Sequence, residues 1–334
     1  MSAAARPALP RRPLGKTGFS ISEVGFGGWG IGKSMWGRTD DHESLRALRA
    51  ALDAGVNYFD TAHAYGHGHS ERLISQALRE SGKEAVVATK IPPKNMEWPA
   101  RGSTRLAHAF PADWVAQSTE RSLRNLRVER IDLQQFHVWN DAWLRDPSWP
   151  ETLEALARLR AQGKILRFGV SVNSDDPDSA LEIARSGHIN SAQILFNLFD
   201  QRAADRLFPA CRERGVGIIA RCPFDEGGLT GALTLHSRFP AEDFRSHYFG
   251  GDRLAQTCRR ADALQQALVG RHALDLADAA LKFCLSFDAV STVIPGMRTP
   301  AHVAANVRSA DGKYFDAALI RTLQAHAWVR DFYR

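Results

Sequence analysis

Four ionisable side chains fall at comparable places along the chain. Asp60 and Tyr65 close the segment Tyr58-Phe-Asp-Thr-Ala-His-Ala-Tyr65-Gly66, Lys90 ends Val86-Val-Ala-Thr-Lys90, and His137 ends Ile131-Asp-Leu-Gln-Gln-Phe-His137. Each apolar run reads as a short buried strand, which sets the polar group at its C-terminal edge. A tyrosine beside a lysine, an aspartate and a histidine is equipped to move a proton. The ammonium is expected to lower the phenol's pKa, the carboxylate to hold the ammonium, and the imidazole to hydrogen-bond a carbonyl oxygen. That is the chemistry of carbonyl reduction, provided a separate donor brings the hydride.

The elements that position these residues repeat nearly from end to end. Strands are expected at residues 24–30, 57–61, 85–91, 131–138, 165–172, 192–197, 216–222 and 291–295, with amphipathic helices between them. Leu45, Leu48 and Leu52 mark the first helix, Leu73, Ile74 and Leu78 the next, and Leu153, Leu156 and Leu159 the fourth. Asp41 is expected to precede the first helix, while Gly55 and Gly163 follow helix ends. Eight βα units in one chain predict a single closed (β/α)8 TIM barrel. The competing doubly wound sheet needs a Gly-x-Gly-x-x-Gly turn that opens a helix. Gly25-Phe-Gly-Gly-Trp-Gly30 instead lies inside the first expected strand.

Residues 1–12 read as a flexible N-terminal arm, and residues 13–334 as the barrel domain. A β-hairpin turning at Lys16-Thr17-Gly18 precedes the first barrel strand and is expected to plug the barrel bottom. Three connections, 92–111, 138–150 and 223–253, are long enough to form functional loops on the C-terminal face.

Several of these motifs, taken together, resemble one family. Pro13-Leu-Gly-Lys-Thr-Gly-Phe-Ser-Ile-Ser-Glu-Val-Gly-Phe-Gly, Phe59-Asp-Thr-Ala-His-Ala-Tyr-Gly and Ser70-Glu-Arg-Leu are similar to aldo-keto reductase motifs. So are Ala88-Thr-Lys90, Asp132-Leu-Gln-Gln-Phe-His137, Gly163-Lys-Ile-Leu-Arg-Phe-Gly-Val-Ser and Val293-Ile-Pro-Gly, in order over about residues 12 to 310. The resemblance implies a catalytic tetrad of Asp60, Tyr65, Lys90 and His137. In it Tyr65 donates the proton, Lys90 depresses its pKa, Asp60 anchors Lys90, and His137 orients the substrate oxygen while nicotinamide C4 delivers hydride.

The same resemblance implies that Ser171, Asn173 and Gln193 bond the nicotinamide carboxamide. The strand pattern leaves the phase of Ser171 against Asn173 open by one residue. Downstream, the glycine-containing stretch with Pro223, Gly228 and Leu229 is expected to close over a pyrophosphate through its N–H groups. Arg221 departs from the family, many of whose members place a tyrosine there to stack on the nicotinamide. An arginine plane also stacks and adds positive charge. Gly296, Arg298, His302 and Asn306 are expected at the adenosine end, with Asn306 matching an adenine-contact position. Arg298, just before a helix that Pro300 starts, is the candidate partner of a ribose 2′-phosphate, favouring NADPH over NADH. The lysine, glutamine, arginine and glutamate that other members carry near Gly296, at His302 and at Ala305 are missing. NADH therefore stays open.

Substrate selection falls to the loops. Seven of eight tryptophans precede residue 150, and Trp29, Trp36, Trp98, Trp139, Trp143 and Trp149 flank the expected mouth. Trp29, Trp139 and His63 are the candidate pocket walls, whereas Trp114 and Trp328 read as packing residues. A small-molecule aldehyde, ketone or sugar, or the matching alcohol, is the expected partner.

Apolar and charged fractions of 44% and 24% suit a soluble globular chain, and a net charge of +6 suits anionic ligands. Basic residues are dispersed, which argues against nucleic acid, and no run suits a membrane span. Cys211, Cys222, Cys258 and Cys284 show neither a C-x-x-C pair nor metal-ligand spacing, and fit a reducing cytoplasm. Oligomeric state leaves no signal. Two other readings remain open: a cofactor-binding sensor on the same scaffold with little turnover, and a metal-dependent hydrolase built on Asp60, His63, His67 and His69. The latter is the weaker one, so no bound metal is expected.

Overall fold

The structure is a computed structural model and describes residues 8–329 except 34 and 38. Strands β1 (Arg11–Pro13) and β2 (Ser20–Ser22) pair antiparallel as the expected hairpin. The arm expected over residues 1–12 lies outside the described residues as far as residue 7, while Arg11 and Arg12 already belong to β1.

Eight parallel strands follow: β3 (Phe26–Gly27), β4 (Tyr58–Asp60), β5 (Val86–Ile91), β6 (Ile131–Phe136), β7 (Ile165–Ser171), β8 (Ser191–Leu195), β9 (Gly217–Arg221) and β10 (Val290–Val293). Each pairs with its successor, and the parallel bridges Val24 to Val293 and Gly27 to Gly296 join the last strand to the first. The sheet is thereby closed, as the eightfold βα alternation requires. Helices Asp41–Asp53, His69–Ser81, Ala112–Leu126 and Trp149–Ala161 bury their leucine stripes on its outer surface.

Side chains alternate between two cores because strand side chains point to opposite faces. Phe59, Phe136, Phe168, Val170, Ala192 and Ile194 pack outward under the helices. Leu14 and Ile21 of the hairpin region pack inside with Tyr58, Ala88, Leu133, Ile219 and Ile294. The hairpin thus closes the bottom, and the top is left for the site.

Two local readings change. The strand expected at 24–30 pairs regularly only at Phe26–Gly27, and Trp29–Ile31 forms a 3-10 turn. The backbone curls because Gly28 N–H donates to Asp60 O, and a Cβ on Gly28 would lie 2.7 Å from that oxygen. The first long helix is capped by Asp40, whose carboxylate accepts from Glu43 N–H, so Asp41 is its first helical residue.

Candidate active site

Asp60, Lys90 and His137 stand at or just beyond the C-terminal ends of β4, β5 and β6, and Tyr65 hangs from the loop after β4. That loop returns sharply at Gly66, where φ is +65° and a Cβ would lie 1.8 Å from Gly32 O. The four side chains meet at the barrel mouth. Lys90 Nζ donates to Asp60 Oδ1 at 2.6 Å, Thr61 O at 2.9 Å and Tyr65 Oη at 3.3 Å. Asp60 Oδ2 accepts from Gln193 Nε2 at 2.6 Å. The His137 ring stands edge-on to Tyr65, with centroids 5.5 Å apart.

Burial governs the protonation states. It pushes Asp60 up and Lys90 down, while their mutual attraction opposes both shifts. Burial, then the charges of Lys90 and Arg221, hold His137 well below the usual imidazole range, so it is neutral near pH 7. Its Nδ1 is buried with no hydrogen-bond partner among the described residues. Tyr65 overturns the expectation that Lys90 would depress its pKa. Burial raises the phenol well above the ordinary value, Asp60 adds to the rise, and the pull downward comes from Arg221.

The pocket walls differ from the expected set. Trp29 does face the site, stacked on Tyr65 at 6.2 Å and tilted against Phe244 at 5.4 Å. Trp139 does not. It is 0% exposed, stacks on Phe136 and donates from Nε1 to Asp141 Oδ1 at 2.9 Å. Two residues past His137, the chain has already turned outward. Trp98 of the 92–111 loop takes the place at the mouth, edge-on to His137 at 4.6 Å. Nothing in its spacing distinguished it from the neighbouring tryptophans.

His63 is also turned away from the substrate side. Its Nδ1 lies 3.5 Å from Asn125 Nδ2 and 3.8 Å from Glu71 Oε2. Glu71, fully buried, accepts from Thr89 Oγ1 at 2.6 Å and Asn125 Nδ2 at 2.7 Å. His69 pairs with Asp41 at 2.8 Å. Among the described residues no group of three His, Cys, Asp or Glu is arranged to hold a metal ion. Asp60, His63 and His69 of the hydrolase reading are committed to separate partners.

Of the expected cofactor contacts, Ser171, Gln193 and Arg221 line the upper interior by strand parity. Arg221 reaches Val172 O and Cys222 Sγ, each at 3.3 Å. Asn173 is spent elsewhere: its amide bonds Ala100 N, Ala100 O and Trp139 O, tying two loops together. The pyrophosphate cradle also changes. The N–H groups of Gly228 and Leu229 donate to Asp225 O and Phe224 O within a compact turn. The Leu229 side chain is in the core, and Pro223 is buried.

At the other end, Pro300 opens helix Pro300–Arg308 as expected, with Thr299 Oγ1 accepting from His302 N–H at 3.2 Å. Gly296 and His302 are exposed, and Arg298 is half-buried with Nη1 donating to Trp36 O at 3.1 Å. Asn306 is buried, and its Nδ2 has no partner among the described residues. The Gly228 and Leu229 amides, by contrast, are already engaged within their own turn.

A closed parallel barrel whose mouth joins a Tyr–Lys–Asp–His cluster defines a barrel oxidoreductase. The sequence model of the Aldo/keto reductase family matches residues 23–327, and the chain belongs to that family. It is 30% identical over 299 residues to aldo-keto reductase YhdN of Bacillus subtilis (strain 168), covering 87% of this chain and 86% of that one. Similarity to the NADH-specific methylglyoxal reductase of Escherichia coli (strain K12) is 26% over 332 residues, covering 92% and 96%. The solved glycerol dehydrogenase from Gluconobacter oxydans superposes with a TM-score of 0.75 at 28% identity, covering 95% and 94%. The chain is thus an oxidoreductase of carbonyl and alcohol substrates.

Proposed function

We propose that the protein reduces a small aldehyde or ketone with a nicotinamide cofactor, NADPH in the first instance, and that Tyr65 donates the proton. One observation carries this: Tyr65 Oη, Lys90 Nζ and Asp60 Oδ1 form a continuous hydrogen-bonded chain at the barrel mouth, with neutral His137 beside it. A bound reduced nicotinamide supplies the hydride. The protein's part is to hold and protonate the carbonyl oxygen. Tyr65 and His137 stand together at the mouth, where they would hold that oxygen between them, and the phenol is protonated at neutral pH. As the proton leaves, negative charge on the phenolic oxygen is met by the Lys90 ammonium, which Asp60 holds in place.

Trp29 and Trp98 then bound the substrate on two sides, and Ser171, Gln193 and Arg221 bound the nicotinamide. The buried, unpartnered Asn306 amide fits an adenine nitrogen. Arg298, half-buried just before helix Pro300–Arg308, is the candidate cation for a 2′-phosphate. Tyr65→Phe tests the proposal. Reduction is expected to fall by about 10²- to 10⁴-fold, while NADPH binding, read by its fluorescence, persists. Undiminished turnover would remove Tyr65 from the role. Wild-type protein that binds the cofactor but turns over no carbonyl in a broad aldehyde, ketone and sugar panel would favour the sensor reading.

A further inference from the structure

Beside and below the ion pair, the barrel interior carries polar side chains among its apolar ones. Tyr58 precedes Asp60 by two residues on β4, Gln135 precedes His137 by two at the end of β6, and Ser191 precedes Gln193 by two on β8. In a strand this spacing keeps side chains on one face, and Tyr58 and Leu133 belong to the inner core. All three are buried: Tyr58, Gln135 and Ser191 are 0% exposed. Tyr58 Oη, both amide atoms of Gln135 and Ser191 Oγ have no hydrogen-bond partner among the described residues.

Register brings two of them to face each other. Gln135 pairs with Lys90 on one side and Gly169 on the other, and Gly169 pairs with Ser191. Gln135 and Ser191 therefore flank a residue without a side chain, two strand spacings apart, about 9.5 Å. Ser191 Oγ leans over Gly169, where a Cβ would lie 2.2 Å from it. Neither group bonds the other, and an oxygen lying between them would bond both the amide and the hydroxyl. The three side chains are neutral and present donors and acceptors together, which suits water and neither a cation nor an anion.

We infer that Gln135, Ser191 and Tyr58 enclose ordered water beneath the Asp60–Lys90 pair, and that this water helps keep the pair charged. Lys90 has all three donors in use, whereas Asp60 accepts from only Lys90 and Gln193 and retains lone pairs for a further donor. The ionisable groups facing Asp60 from the surrounding strands are Tyr58, Lys90, His137 and Arg221, with Tyr65 above. Arg167 of β7 is bound to Thr17 O at the barrel bottom. Water placed under Asp60 favours its ionised form against the burial that opposes it.

A high-resolution crystal structure of the full chain tests the site without reference to turnover. Ordered water bonded to both Gln135 and Ser191 is expected, and an interior in which those groups bond only to protein overturns the inference. The positioning role is read from the pH profile of carbonyl reduction. Gln135→Met keeps the side-chain length and removes its hydrogen bonds. It should move the acid limb of kcat/KM upward by about one pH unit, with KM for the cofactor unchanged. Ser191→Ala, a smaller change that preserves the fold, should shift it in the same direction, and Ser191→Thr should restore it. An unmoved acid limb in both Gln135→Met and Ser191→Ala overturns the role.

Discussion

At Tyr65, two opposing effects had to be weighed. A neighbouring ammonium lowers a phenol's pKa, and burial raises it. Here Lys90 is shared among Asp60, Thr61 and Tyr65, while the phenol itself is buried and lies in the field of Asp60. Burial wins, and the phenol stays protonated across the neutral range. Reduction should therefore be insensitive to Tyr65 ionisation through neutrality, while oxidation of an alcohol, which needs the phenolate, should climb as pH rises toward the raised pKa. Rates of both directions measured across pH check this, and an oxidation rate flat through alkaline pH would count against it. Arg298 carries the cofactor prediction. Its guanidinium lies in a field that includes Asp243 and Arg245. Arg298→Ala should weaken NADPH by about 10-fold or more, as loss of a charge-assisted contact implies, and leave NADH nearly unchanged. Equal losses in the two Kd values would dismiss the 2′-phosphate contact. The tetrad was legible because each member ends a recognisable strand or its loop. The walls were not. Trp98 and Trp139 are equivalent in composition, and only the course of their loops decides which ring touches His137.

The segment 223–253 behaves as one element across the mouth. Its helix Phe244–Tyr248 presents Phe244 to Trp29, Tyr248 Oη donates to Asp225 Oδ1 at 2.7 Å, and Arg245 lies over the Trp36 ring at 4.9 Å. Near its start, Cys222, Asp225 and Glu226 hold φ values of +53°, +48° and +56°, which cost free energy for residues with a Cβ. Glu226 accepts a contact from Cys222 Sγ at 3.3 Å, and burial above all raises its carboxyl to about 7. A carboxyl whose folded pKa is raised contributes stability that is present below its unfolded pKa and lost as pH rises through the folded value. Between pH 5 and 8 the wild type should thus lose thermal stability that Glu226→Gln does not lose. Parallel Tm curves for the two proteins would rule this out. None of this was visible in the sequence, where the glycines of the segment suggested an anion cradle. Tertiary contacts instead folded Gly228 and Leu229 into a turn that uses their own N–H groups.

Across the whole molecule, the barrel is held at its base as well as its mouth. Arg12 pairs with Glu23 at 2.6 Å and donates to the carbonyls of Leu285, Phe287 and Val290, fastening the hairpin to the connection that leads into β10. Arg12→Met strands those acceptors and the carboxylate. It should cost about 2–4 kcal/mol of stability, read by denaturant unfolding, with kcat unaltered because the site is at the opposite end. A loss in kcat without a loss in stability would contradict this division of the barrel into a supporting base and a reacting mouth. Strand count, helix stripes and the placement of Asp60, Tyr65, Lys90 and His137 were all determined by the sequence, because they depend on local periodicity and on residue types at strand ends. Tertiary structure alone decided which loop tryptophan lines the pocket, that Asn173 ties loops together, and that His63 serves Glu71. It also decided that Tyr65 remains a phenol. Those outcomes depend on burial and on partners distant in the chain, for which local sequence holds no record.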